Sequence, residues 1–133
     1  MREFDLKIVT PDGEQFSGKA ESIILRTEDG DVQILAGHVD YMASLGTGKA
    51  KLVAGGTERT AAVSGGFVTV SHGEVKLVAV TFEFSDEIDL ERAKRARDNA
   101  EELIRSSKND KELLLAKAKL KRAMSRIGVV SER

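Results

Sequence analysis

Between Arg2 and about Phe84 apolar and polar residues alternate, as in Phe4-Asp5-Leu6-Lys7-Ile8, so one face of each run is turned toward a core. Comparable runs recur at Ser22 to Arg26, Val32 to Leu35, Tyr41 to Leu45, Ala50 to Ala54, Thr60 to Val63, Phe67 to Ser71 and Val75 to Phe82. The segments between them carry turn chemistry: Pro11-Asp12-Gly13, Glu28-Asp29-Gly30, Gly55-Gly56, Gly65-Gly66 and His72-Gly73. Strands this close in sequence leave no room for crossover helices, which predicts an antiparallel β-sandwich of about ten strands.

After Ser85 glycine is absent until Gly128, and Ala, Leu, Lys, Arg and Glu dominate, all good helix formers. Ala93, Ala96, Ala100, Leu103 and Ser107 follow a three-four spacing, and Leu113, Ala116, Leu120, Ala123 and Ile127 repeat it. The pattern predicts two helices broken near Ser106 to Asp110, with Asp86 or Asp89 capping the first and Asn109, with Glu112 three residues on, capping the second. So short a connection makes them an antiparallel hairpin. The class is α+β, with a sandwich domain over residues 1–85 and a two-helix domain over 86–133. Alanine seams bury little area, so the hairpin is expected to be marginal alone, relying on Leu90, Leu103, Ile104, Leu113, Leu120, Met124 and Ile127.

Composition changes this picture only at the margins. Apolar residues make up 41% and charged residues 32% of 133 positions, as in proteins that fold in water. No apolar run reaches the ~18 residues of a membrane span, the opening Met1-Arg2-Glu3-Phe4-Asp5 lacks a signal peptide's apolar stretch, and no direct membrane insertion is expected. Without cysteine there is no disulfide and no thiolate chemistry. The net charge of -1 conceals 8 basic and 12 acidic residues over 1–85 against 13 basic and 10 acidic over 86–133. From Leu113 onward Lys117, Lys119, Lys121, Arg122, Arg126 and Arg133 face a single acid, Glu132, a surface that seeks an anion. No aromatic platform accompanies these cations, so a nucleic acid is not the expected partner.

Ile8-Val9-Thr10-Pro11-Asp12-Gly13, Ile34-Leu35-Ala36-Gly37-His38 and Val63-Ser64-Gly65-Gly66-Phe67 stand in an order that resembles the N-terminal domain of ATP synthase epsilon subunits, and Ile88-Asp89-Leu90-Glu91-Arg92-Ala93 resembles the helix-opening motif of that family's C-terminal domain. The resemblance implies a non-catalytic central-stalk subunit at the cytoplasmic face of the cell membrane. Its sandwich would bind the gamma subunit and rest on the c-ring. Its helices would fold on the sandwich or extend into the alpha/beta catalytic hexamer and inhibit ATP hydrolysis. Two positions depart from the family pattern: Gln33 stands where glycine is usual and Ala36 where proline is usual. The competing expectation is a stand-alone protein-interaction module with an unrelated partner.

His38, Asp40 and Tyr41 admit a catalytic reading, since a carboxylate can orient an imidazole, but no nucleophile accompanies them and a turn or partner contact is the simpler role. The resemblance implies that Glu28, Asp29, Gly30 and Asp31, together with His38 to Tyr41, form the end facing the c-ring. No histidine or cysteine spacing supports a metal, and no glycine-rich phosphate loop is present. Arg122 and Arg126 lie four apart on one helical face, and a hairpin can bring Arg92 opposite them to fork phosphate oxygens. The other reading of these arginines is solvation, or pairing with Glu87, Asp89 and Glu91. By resemblance, regulatory ATP would meet Glu83, Ile88, Asp89, Arg92, Ala93, Arg122 and Arg126, with one basic position of the pattern replaced by Asn99. No cofactor is required, and Lys117, Lys121, Arg122 and Arg126 would also meet acidic partner segments.

Overall fold

The computed structural model describes residues 2–131; Glu132 and Arg133, counted in the basic stretch above, lie outside them. Eight strands, β1 (Phe4–Thr10), β2 (Gly13–Ala20), β3 (Ser22–Thr27), β4 (Gly30–Leu35), β5 (Tyr41–Ser44), β6 (Gly48–Ala54), β7 (Thr57–Ser71) and β8 (Glu74–Phe84), precede a 3-10 turn (Ser85–Glu87) and helices α1 (Leu90–Ser106) and α2 (Asp110–Val130). The strands run β2-β1-β8-β7-β6-β3-β4, with β5 on the second half of β7.

Sandwich and hairpin are as expected, with two differences in detail. Among the described residues the strand number is eight rather than about ten. One reason is that Thr60 to Val63 and Phe67 to Ser71 belong to one strand, which continues through Gly65 and Gly66 with both glycines at positive φ and stays paired to β8 across them. The first half of β7 pairs with β6 and the second with β5, so this one strand serves both layers. The second difference is that β1 pairs with β8 in parallel, from Asp5 opposite Glu74 to Val9 opposite Val78. β2 completes the edge beside β1, although its sequence, GEQFSGKA, shows no apolar alternation.

The alternation along β1 is realised: Phe4, Leu6 and Ile8 are buried while Asp5 and Lys7 are exposed. They join Ile23, Leu25, Ile34, Leu52, Val68 and Leu77 in one core between the layers. The hairpin has no share in it. α1 and α2 bury Ala93 and Ala100 against Ala116 and Ala123, whereas Ala96, placed in the seam by spacing, is exposed. Leu103 and Met124, counted above among the hairpin's stabilising residues, are 45% and 49% exposed. The hairpin meets the sandwich through a separate small cluster of Ala62, Ile88 and Val129, with Val130 against it.

Caps set the helix bounds. Asp89 accepts a hydrogen bond from Arg92 N at 3.1 Å to open α1, and Asn109 accepts from Glu112 N at 2.9 Å to open α2. The Glu112 carboxylate reaches Lys108 N at 2.9 Å, one residue before the N-cap, in a variant of the capping box. Upstream, the Arg59 guanidinium lies 3.5 Å from the centroid of the Phe84 ring and 3.6 Å from Asp86. That contact pins the segment leading into the hairpin.

Candidate functional site

A cleft of about 400 Å³ opens where the hairpin lies on the sandwich. Its walls come from three stretches distant in sequence: Thr10 and Asp12 at the β1–β2 turn, the stretch from Thr81 to Glu83 on β8 through Glu87 to Asp89 to Arg92, Ala93 and Ala96 on α1, and Arg126 on α2. The sandwich alone does not make it, because the helical wall is supplied only when the hairpin is docked.

Of the residues carried over by resemblance for ATP, the structure brings Glu83, Ile88, Asp89, Arg92, Ala93 and Arg126 to this cleft. Arg122 is not among its walls; one turn before Arg126, it packs with Thr47, Ser64, Thr81 and Ser125 in a narrow gap alongside. Asn99 is not in the lining either. The floor is apolar at Ile88, Ala93 and Ala96, and the rim is charged, with acids Asp12, Glu83, Glu87 and Asp89 against Arg92 and Arg126. Thr10, Asp12, Thr81, Phe82, Glu87 and Ala96 have no counterpart among the residues carried over for ATP. Thr10 and Asp12 reach the cleft because β1 runs parallel to β8, a pairing the alternation pattern does not reveal.

The arginines do not pair with Glu87, Asp89 or Glu91. Arg126 Nε donates to Glu83 Oε1 at 2.5 Å, which links α2 to β8 with both side chains about a third exposed. Glu87 accepts from Phe84 N at 3.3 Å, Asp89 caps α1, and Glu91 pairs with Lys94 at 3.9 Å. Arg92 and Arg122 have no ion pair among the described residues. Ser125 Oγ donates to Gly48 O at 3.2 Å, a second polar tie between α2 and the sandwich.

The two loop groups expected at the c-ring end do not share one tip. Glu28 to Asp31 turn from β3 to β4, whereas His38 to Tyr41 follow the far end of β4, about 17 Å away at the rise of an antiparallel strand. A surface presenting both must run along β4, an edge strand, rather than across one end. The Glu28–Asp31 turn shares a broad depression of about 740 Å³ with Lys121 of docked α2. Asp31, outside that lining, accepts from Arg26 Nε at 2.6 Å, and this hydrogen bond, then the carboxylate's charge, raises the Arg26 pKa above its ordinary value.

His38 is not oriented by Asp40. Its Nδ1 donates to Val39 O at 2.7 Å, and its ring meets Tyr41 edge-on at 5.5 Å. Asp40 instead accepts from His72 N at 3.0 Å, tying this loop to the β7–β8 turn. The catalytic reading of the three residues therefore lacks its geometry. Val39 and Met42 beside them are 75% and 71% exposed. Lys117 is exposed on α2. No group of three or more potential metal ligands occurs among the described residues. No helix among them is long and apolar enough to cross a membrane.

Residues 3–85 match the family profile described as "ATP synthase, Delta/Epsilon chain, beta-sandwich domain", and residues 86–131 match "ATP synthase, Delta/Epsilon chain, long alpha-helix domain". The chain is 39% identical over 132 residues to the ATP synthase epsilon chain of Bacillus pumilus, covering 99% of this chain and 100% of that one. It is likewise 39% identical over 134 residues to the ATP synthase epsilon chain of Ruminococcus albus, covering both completely. Among solved structures, a chain of the Euglena gracilis mitochondrial ATP synthase superposes with a TM-score of 0.80 at 24% identity, over 92% of this chain and 78% of that one, which shows the shared fold.

Proposed function

The chain belongs to the ATP synthase delta/epsilon family and is an epsilon-type subunit of the central stalk, and from that premise we propose that its hairpin is a nucleotide-sensitive brake on the complex. In this reading the sandwich holds the gamma subunit and rests on the c-ring, and the subunit is peripheral, on the cytoplasmic face of the cell membrane. It performs no catalysis itself. The hairpin either lies on the sandwich or extends along gamma into the alpha/beta hexamer, where Lys117, Lys121, Arg122 and Arg126 meet acidic segments and ATP hydrolysis stops.

One observation carries the nucleotide part. A cleft with two arginines and an apolar floor is assembled from both domains, so whatever fills it favours the docked posture. Arg92 and Arg126 supply guanidinium forks for phosphate oxygens, and Ile88, Ala93 and Ala96 supply an apolar bed for the base. ATP at 100 times its dissociation constant adds about 2.7 kcal/mol to the docked form. That is about a hundredfold shift, half of the 5.5 kcal/mol that would carry 1:99 to 99:1, so it moves the hairpin from mostly undocked to evenly divided when the thin cluster at Ala62, Ile88 and Val129 leaves docking that weak.

The test is deletion of residues 88–133 in the assembled complex. Stalk assembly should persist and ATPase activity should rise; unchanged activity would remove the brake. Isothermal titration of the full chain with ATP tests the nucleotide part separately, and no heat at millimolar ATP would dismiss it.

A further inference from the structure

We infer that the acidic β3–β4 turn is an electrostatic clasp for the docked hairpin, in which Glu28 and Asp29 hold Lys121 of α2 across the depression they share. Three exposed charges line that depression without an ion pair among the described residues: Glu28 and Asp29 on one wall and Lys121 on the other. The remaining charge, Arg26, is already neutralised, because its Nε donates to Asp31 at 2.6 Å. Two carboxylates thus face one ammonium, which is the only cation α2 contributes to this lining. They stand beyond direct ion-pair contact, so the attraction acts through solvent and is open to screening.

Both walls are positioned by other contacts. Thr27 Oγ1 donates to Gly30 O at 2.7 Å and accepts from Asp29 N at 3.1 Å, while Glu28 N donates to Ser44 O at 3.0 Å, so the turn is fixed from within the sandwich. On α2, Ser125 lies four residues after Lys121, one turn along the same helical face, and its bond to Gly48 O sets the helix against the start of β6. Gly48 backs onto Arg26, where a Cβ would stand 2.9 Å from Arg26 Cβ, so the segment under α2 is packed on the strand that leads into the turn. With both partners held, little ordering entropy opposes the attraction. Lys121 is also among the cations assigned above to acidic segments of the alpha/beta hexamer. On that reading the turn supplies in the docked posture the charge that the hexamer supplies in the extended one. Lys117, one turn earlier, lies outside the depression and takes no part in the clasp.

The test uses the isolated full chain without nucleotide. In a Val129→Ala background, which trims the docking cluster so that both postures are populated, the ratio of undocked to docked chains is read from the distance between labels on β8 and α2. At low salt, Glu28→Gln with Asp29→Asn should raise that ratio about two- to fivefold, the scale of an exposed ion pair, and Lys121→Gln should raise it by a similar factor. The three substitutions together should do no more than either set alone, because each removes the same attraction. At about 1 M salt, where the Debye length falls to ~3 Å, the differences should vanish. An unchanged ratio in Lys121→Gln, effects that multiply in the combined variant, or differences that persist in high salt would each overturn the clasp. Should the turn substitutions lower the sandwich's melting point, Lys121→Gln and its salt dependence decide alone, since that change leaves the sandwich untouched. None of these outcomes bears on whether the extended hairpin inhibits hydrolysis, which the deletion of residues 88–133 tests.

Discussion

Trimming one methyl pair from the docking patch should loosen the hairpin without weakening the sandwich. Val129 is 1% exposed and packs in the cluster with Ala62 and Ile88, apart from the main core, and it also borders Thr47, Gly48 and Lys49. Val129→Ala removes two carbons at about 0.8 kcal/mol each and leaves a small void, for a loss of roughly 2 kcal/mol. That is about a thirtyfold shift of the docking equilibrium. A chain undocked about one time in a hundred would become undocked about one time in four. Because the chain has no cysteine, Lys76→Cys on β8 and Lys117→Cys on α2, both exposed, give unique labelling positions for a distance measurement. The variant should show a second, longer population while the sandwich's thermal midpoint stays put. A single unchanged distance, or a lowered midpoint with the hairpin still docked, would refute the separation of the two cores.

Other perturbations reach different links of the argument. Gly66→Ala would place a Cβ 1.9 Å from Val78 O at a φ of +94°, and should destabilise the sandwich by about 3 kcal/mol or more, seen as a melting point lower by about 12–24 °C. Gly55→Ala, at φ +59° with open space around it, should cost only about 1–2 kcal/mol in the same assay. Asn109→Ala removes the cap on α2 and should cost about 1 kcal/mol, read as faster amide exchange in the first turn of that helix. Reversing charge at Lys117 and Lys121 together should raise ATPase activity of the complex partway toward that of the hairpin deletion, with an effect that shrinks as salt rises.

The sandwich and hairpin were legible because burial on one face leaves a period in the sequence: Phe4, Leu6 and Ile8 for strand, the alanines of α1 and α2 for helix. β2 left no such trace. As an edge strand with only Ala20 fully buried, it is held by backbone pairing to β1, which any polar sequence can supply. Gly65-Gly66 misled in the other direction, because positive φ marks a kink inside a paired strand as readily as a turn between strands. At the cleft, Arg126 on α2 and Arg92 opposite it on α1 were legible from helical spacing, although Arg122, on the same face as Arg126, falls outside the lining, and the contributions of Thr10 and Asp12 depend on the parallel register of β1 with β8, a non-local pairing. The partner of Arg126 was hidden for the same reason: Glu83 lies 43 residues away in sequence and meets it only through docking.

The account rests on the hairpin being a separable body whose posture answers to nucleotide. The most direct measurement is the Lys76–Lys117 label distance within the assembled ATP synthase, first in saturating ATP and then after its removal. The account predicts two populations, with ATP enriching the short distance set by the docked hairpin and its removal enriching the long one. A single distance, unmoved by nucleotide, would contradict it.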